Sequence, residues 1–227
     1  MMENTKTIRV TGRGQIRVKP DTTRITLTLG DSYPEYDEAL RHSAQDTDQL
    51  KELLGSYGLD REELKTLSFQ VDPQYEGYKK NGVFKQKLTG YQFRHVMKVE
   101  FASDNDRLGK ILYALANCPA KPEFWISYTV KDPEAAKNEL LDKAVRDAMD
   151  KAAVLSAAAG VKLKDIRSID YSWGELDLEI RPMNRAVCAA PRGMSAAEED
   201  GSYALNIEPD DIQVSDSVTV VWNMEEP

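Results

Sequence analysis

The sequence is poor in the residues that build metal centres and covalent scaffolds. It has two cysteines, Cys118 and Cys188, with no CxxC pair, and only two histidines. That excludes a disulfide framework and the usual zinc motifs, although one bridge is open to it in an oxidising compartment. No apolar run approaches the ~20 residues that cross a bilayer, so no membrane span is expected. Positive charge is in deficit, with a net charge of −8. A general nucleic-acid binder needs clustered positive charge to displace counterions, so no nucleic-acid partner is expected. The opening "MMENTKTIRV" has no apolar signal-peptide core. The expected location is cytoplasmic, or periplasmic or extracellular if a leader has been removed. No GxSxG, Ser-x-x-Lys, HExxH or Walker pattern occurs, so no catalytic residue, metal site or cofactor is assigned.

What is present suits a folded domain. The 227 residues are 41% hydrophobic and 30% charged, enough for one large domain or two small lobes with a real core. The charge is uneven. Residues 1–30 hold six basic side chains against Glu3 and Asp21, whereas residues 193–227 hold nine acids and no Lys or Arg. The two ends are complementary and could be neighbours, within one chain or between chains.

Residues 8–20 alternate strictly. Ile8, Val10, Gly12, Gly14, Ile16, Val18 and Pro20 share one face; Arg9, Thr11, Arg13, Gln15, Arg17 and Lys19 share the other. That is the period of a half-buried strand. Pro20-Asp21 breaks the run before Ile25, Leu27 and Leu29, which predicts two strands around a tight turn. The Gly12-Arg13-Gly14 triplet resembles a phosphate loop, but a dinucleotide fingerprint needs a third glycine and a helix directly after. An extended segment follows instead. The glycines are read as structural, allowing a bulge, a bend or the close passage of another backbone.

"SYPEYDEALRHSAQDTDQLKELLGSYG" predicts a helix, with Ser32 and Glu35 as a capping box and Tyr36, Leu40, Ser43, Thr47, Leu50, Leu54 and Tyr57 as its stripe. A strand over 64–75, a hairpin turn at Asn81-Gly82 and a strand with Tyr91, Phe93, His95, Met97, Val99 and Phe101 on one face follow. Ser103 and Asp106 are expected to cap a short helix, and 123–130 to form a strand. A long helix near 133–159 opens at Asp132-Pro133-Glu134 and stops at Gly160. Its expected inner stripe is Leu141, Val145, Ala148, Ala152, Leu155 and Ala159. Its outer face carries the pairs Glu139–Lys143, Asp142–Arg146 and Asp147–Lys151. Residues 164–180 read as extended, 181–205 as a mobile loop, and the chain closes on a strand with Ile212, Val214, Val218, Val220, Trp222 and Met224 on one face. The order predicts an α+β fold, antiparallel or mixed sheets packed with three helices.

Few residues suggest a site. The stripe containing Arg13 and Arg17 could contact an anion, or simply meet solvent or the acidic C-terminal strand. His95 falls on an apolar strand face, where a satisfied core histidine is commoner than a base or ligand. His42 lies one turn before Asp46. The runs Glu198-Glu199-Asp200 and Asp210-Asp211 lack EF-hand spacing.

The segments "IRVTGRGQIRVKPDTTRITLTLG", "VDPQYEGY", "LTGYQFRHVMKVEF", "AVRDAMDKAAVLSAAAGVKLKDIRSI" and "IEPDDIQVSDSVTVVWNM" occur in that order over nearly the whole chain. Together they resemble the SIMPL-domain family, which includes bacterial periplasmic immunogenic proteins and stress-associated envelope proteins. The resemblance implies an α+β fold of two interleaved lobes, here about 1–90 with 164–227 and about 91–163, within a single domain. It implies no established catalytic residues. It also implies a homo-oligomer, a setting in stress, and action through protein contacts rather than catalysis. The alternative is a small-ligand or anion-binding protein, or an unrecognised hydrolase, with a site between the lobes contacted by Arg13, Arg17 and His95.

Overall fold

The computed structural model describes residues 6–80, 83–171, 177–181 and 207–225. The expected turn at Asn81-Gly82, the loop 182–205, Cys188 and the acids at 198–200 lie outside the described residues. Along the chain come β1 (Thr7–Val18), β2 (Thr22–Tyr33), α1 (Tyr36–Ser56), β3 (Lys65–Lys80), β4 (Val83–Ala102), α2 (Asn105–Ala116), β5 (Glu123–Thr129), α3 (Pro133–Ala159), β6 (Lys162–Asp170), β7 (Glu179–Ile180) and β8 (Ile212–Glu225). Among the described residues, two antiparallel sheets and three helices make this an α+β fold.

Two compact units divide the chain. The first draws on Met1–Pro20, Thr129–Ile180 and Asp210–Pro227; the second on Asp21–Tyr128 and Arg181–Pro209. The boundaries of these units fall after residues 20, 128, 180 and 209; the sequence suggested about 90 and 163. Strand β4 runs unbroken through residue 90 and pairs with β2, and α3 passes through Gly160 into β6 within one unit.

In the first unit the sheet order is β1-β8-β6. The two ends of the chain are indeed neighbours, with β1 antiparallel to β8 from Thr7↔Asn223 to Val18↔Ile212. Charge does not join them along this ladder, because Arg9 faces Val221, Arg13 faces Ser217 and Arg17 faces Gln213. Strand β1 keeps its period: Val10, Gly12, Gly14 and Ile16 are buried, Arg9, Thr11, Arg13, Gln15 and Arg17 exposed. Helix α3 lies on that buried face, opened by Asp132, whose carboxylate accepts the Ala135 N–H at 2.9 Å, and closed by Gly160 at φ 71°. Its buried stripe is Ala136, Leu140, Ala144, Ala148, Ala152 and Ser156, so the expected inner row of Leu141, Val145 and Leu155 is displaced. The reason is distance. A Cβ on Gly12 would run into the Ala144 carbonyl oxygen and the Ala148 nitrogen, and one on Gly14 into the Leu140 carbonyl oxygen. With backbones this close, alanines occupy the places facing Gly12, and Leu155 is left 50% exposed.

The turn expected at Pro20-Asp21 is not a hairpin. Strand β2 pairs with β4, in the other sheet. The Asp21 carbonyl accepts the Ser103 N–H at 2.8 Å, so the dipeptide hands the chain from one sheet to the next.

The second unit contains the ordered run β3-β4-β2-β5. Helices α1 and α2 bury Leu50, Leu54, Leu108, Ile111 and Leu115 against Ile25, Leu27 and Leu29 of β2 and Phe93, Met97, Val99 and Phe101 of β4. Helix α1 begins later than expected. Ser32 belongs to β2, Glu35 is the N-cap without a side-chain cap bond, and Ala39 replaces the exposed Tyr36 and Leu40 at the head of the buried stripe. In α2 the cap is Asp104, between the two residues expected, accepting from the Asp106 and Arg107 amides at 2.9 and 3.1 Å.

Strands β3 and β4 outrun the rest of their sheet. The last β2–β4 pair is Tyr33↔Tyr91, yet β3 and β4 pair on to Lys80↔Val83. Gly90 marks the parting, since a Cβ there would press on the Tyr33 carbonyl, 3.2 Å from its carbon. A bulge at Thr89 follows, between the pairs Gln74↔Gly90 and Tyr75↔Leu88. Beyond it stands a two-stranded arm of about 20 Å at roughly 3.4 Å per residue. Its described side chains are exposed on both faces.

Candidate functional site

The best-defined polar constellation lies in the second unit, around His95. This side chain sits on the helix-covered face of β4 and is 8% exposed. Both ring nitrogens are engaged: Nδ1 with Thr47 Oγ1 of α1 at 3.0 Å, Nε2 with Thr66 Oγ1 of β3 at 2.9 Å. Phe69, the cross-strand neighbour of His95, packs edge-on to its ring at 5.2 Å. Burial depresses the His95 pKa, and the Lys51 ammonium adds to the effect, so the imidazole is neutral near pH 7.

The direction of the bonds can be assigned. Thr47 donates its hydroxyl proton to the Ser43 carbonyl at 2.7 Å. Its oxygen therefore receives the Nδ1–H of His95. In a neutral ring Nε2 then holds a lone pair, and the Thr66 hydroxyl donates to it. The relay opens onto a recess of about 430 Å³ whose walls include Leu40, Asp48, Lys51, Thr66 and Phe69.

Thr66 reaches this face because of a bulge. Thr66 pairs with Met97 and Ser68 with Val96, so Leu67 is the extra residue. In a regular strand Leu67, two before Phe69, would share its face. The bulge gives that place to Thr66 and leaves Leu67 53% exposed.

The three suggested contact residues fall in two different units, and the recess at His95 is walled by residues of the second. His95 belongs to the second unit, Arg13 and Arg17 to the first, and the walls around His95 contain neither arginine. Arg13 has a structural task. Its guanidinium donates to Ser215 Oγ at 3.1 Å and its backbone N–H to Asp147 Oδ2 at 2.7 Å. Lys151 Nζ bridges the same carboxylate at 2.6 Å and the Thr11 carbonyl at 3.4 Å. The α3 pair thus satisfies backbone groups on the outer edge of β1, the terminal strand of its sheet, which would otherwise invite another strand. Arg17 is exposed on the same strand. Gly12 and Gly14 sit under α3, Pro20 is buried, and Asp21 starts the second unit.

Sequence reading did not single out Thr66, Phe69 or Lys51 for this site. Thr47 was legible as part of a buried helix stripe facing the sheet. Thr66 was not, because alternation carries no sign of a bulge. His42 stacks on Tyr33 at 4.3 Å. Asp46 nearby has its pKa raised by burial, partly offset by His42.

Residues 8–222 match the SIMPL family model, described as a protein of unknown function (DUF541). The "uncharacterized protein YggE" of Edwardsiella ictaluri is 24% identical over 213 residues, covering 94% of this chain and 84% of the relative. The "26 kDa periplasmic immunogenic protein" of Brucella melitensis is 25% identical over 219 residues, covering 96% and 84%. Among solved structures, CutA from Synechococcus elongatus aligns with 57% of this chain and 96% of its own at a TM-score of 0.20 and 14% identity. With a family model matched from β1 to β8, the chain belongs to the SIMPL family.

Proposed function

We propose that this protein self-assembles and acts through protein contacts, with the β3–β4 arm as its assembly element. The observation that carries this is a bare ribbon. Alternation along β3 puts Phe69, Val71, Pro73 and Tyr75 on the helix-covered face, and that face continues onto the arm, where none of the described helices lies over it. There Tyr75 lies opposite Leu88, and Lys79 opposite Phe84, the lysine 5.0 Å from the Phe84 ring centre. Tyr75 is 58% exposed and Phe84 73%. A two-stranded ribbon alone is marginally stable in water and gains from a third strand or a packed face. Residues 75–88 also carry four lysines against one glutamate, in a chain of net charge −8. Another copy of this acidic chain is therefore a complementary partner. A setting in envelope stress, and the periplasm named for the Brucella relatives, belong to the same proposal.

Sedimentation velocity over a wide concentration range at moderate salt tests it. The wild type should form one closed homo-oligomer. Tyr75→Asp/Phe84→Asp should be monomeric with an unchanged far-UV circular dichroism spectrum, and should melt no higher than the assembled wild type, because assembly itself adds stability. A wild type that stays monomeric at high concentration, or a double variant that assembles normally, overturns the reading.

A further inference from the structure

We propose that Thr66 is a nucleophile and His95 its general base, giving the recess in the second unit an acyl-transfer activity toward small esters. This goes beyond assembly and rests on separate residues. A hydroxyl becomes a useful nucleophile when an adjacent base takes its proton and a third group orients that base. All three roles are filled. Thr66 Oγ1 is 2.9 Å from Nε2, the distance proton transfer needs. Nε2 is the nitrogen left with a lone pair, because Thr47 accepts from Nδ1 while committing its own proton to the Ser43 carbonyl. Thr47 is thus a positioning residue.

Satisfying a buried histidine would account for the Thr47 bond, which is itself buried. It accounts less well for the second bond. Thr66 is exposed and walls the open recess, where water could serve Nε2 as well. A bulge in β3 nonetheless turns this hydroxyl, and not the Leu67 side chain, toward the ring. Leu40 and Phe69 give the recess an apolar wall for an acyl or aryl group, and Lys51 brings positive charge for a developing oxyanion.

The step balances without a co-reactant other than water. Thr66 Oγ attacks the ester carbonyl carbon as its proton passes to His95 Nε2. The tetrahedral intermediate expels the alkoxide, which leaves as the alcohol with that proton. Water, deprotonated by Nε2, then attacks the acyl-threonine. The proton returns to Thr66 Oγ as the carboxylic acid departs.

The full chain is incubated with 4-nitrophenyl acetate, nitrophenolate release is followed, and acetylated peptides are located by mass spectrometry. The expected result is one acetyl ester on Thr66, formed at a rate that rises with pH as His95 loses its proton. Thr66→Val, a change at an exposed position, should lose the label and at least tenfold in rate. Thr66→Ser should keep both. His95→Gln should lose the label, with its melting curve showing whether it folds. Absence of acetyl from Thr66, label on lysines alone, or an unchanged rate in Thr66→Val overturns the proposal.

Discussion

Replacing Gly12 with alanine adds one methyl group, yet it should be among the most damaging changes available to the first unit. The added carbon would fall far inside van der Waals contact with two backbone atoms of α3, the Ala144 oxygen and the Ala148 nitrogen, and 2.8 Å from the Ala148 methyl. Backbone cannot rotate aside as a side chain can. Either α3 lifts off β1 by an ångström or more, or β1 shifts within its sheet. Both loosen the cluster of Val10, Ala144, Ala148, Ala152, Val218, Val220 and Trp222. Overpacking typically costs 1–3 kcal/mol, and a backbone obstacle belongs at the upper end, about 3 kcal/mol. For a chain of this size each kcal/mol moves Tm by roughly 2–4 °C, so calorimetry should show a fall of about 6–12 °C. Adding Ala148→Gly should restore little, because the two closest obstacles are backbone. Gly55, within α1 and with nothing inside 4 Å of an added Cβ, is the control. Gly55→Ala should be stabilising by about 0.5–1 kcal/mol. A Gly12→Ala protein that melts within about 2 °C of wild type, or that Ala148→Gly fully rescues, would refute the close-contact argument.

Asp104→Ala should cost about 1 kcal/mol by urea titration, through loss of the two amide bonds that cap α2. Asp147 has its pKa lowered first by Lys151 and then by the Arg13 amide. The stability it contributes is present above the ordinary carboxylate value of about 4 and is lost as pH falls through the lower folded value. Asp147→Asn should flatten the acid limb of the stability–pH curve, most visibly at low salt. His95 is held neutral by burial, so the unfolded chain takes up its proton first on acidification. Denaturation midpoints should fall as pH drops below about 6.5 toward the depressed folded value, and Thr47→Val should alter that slope by removing the Nδ1 acceptor.

How much was legible depended on whether local order or distant pairing decided the outcome. The period of β1 survived intact because it needs only one buried face. The outer pairs of α3 formed as spaced, with Glu139–Lys143 at 2.8 Å, Asp142–Arg146 at 2.8 Å and Asp147–Lys151 at 2.6 Å. The inner stripe of α3 was misplaced because size normally marks a buried face, and here two glycines opposite invert that rule. The Pro20-Asp21 break was visible but its meaning was not: a strand break looks the same whether the next strand folds back or joins another sheet. For the site, His95 was assigned its face correctly, and its helix partner Thr47 stood in the expected stripe. Thr66 depended on a bulge whose extra residue, Leu67, is an ordinary strand former.

Both features that bear on function are made by irregularities in one pair of strands. A regular β3–β4 ladder would present Leu67 to the histidine, giving an apolar contact and leaving Nε2 to solvent. The bulge between Thr66 and Ser68 substitutes a hydroxyl at hydrogen-bond distance. Further along, the bulge at Thr89 follows Gly90, where β2 parts from β4, and the Thr89 hydroxyl donates to the Gln74 carbonyl at 3.1 Å. Bulges bend a strand and raise its local twist, so this one sets the direction in which the arm leaves the sheet. The two irregularities act on opposite needs. The first sets a hydroxyl against a buried histidine, whose Nε2 must be satisfied; the second sends apolar groups out of the helix-covered layer, where they must be covered. Only the first need is met within the described residues of a single chain, since Phe84 and Tyr75 remain more than half exposed. A second copy seated on the arm would meet the other, which is why assembly state, before any activity, is the measurement that most directly probes this fold.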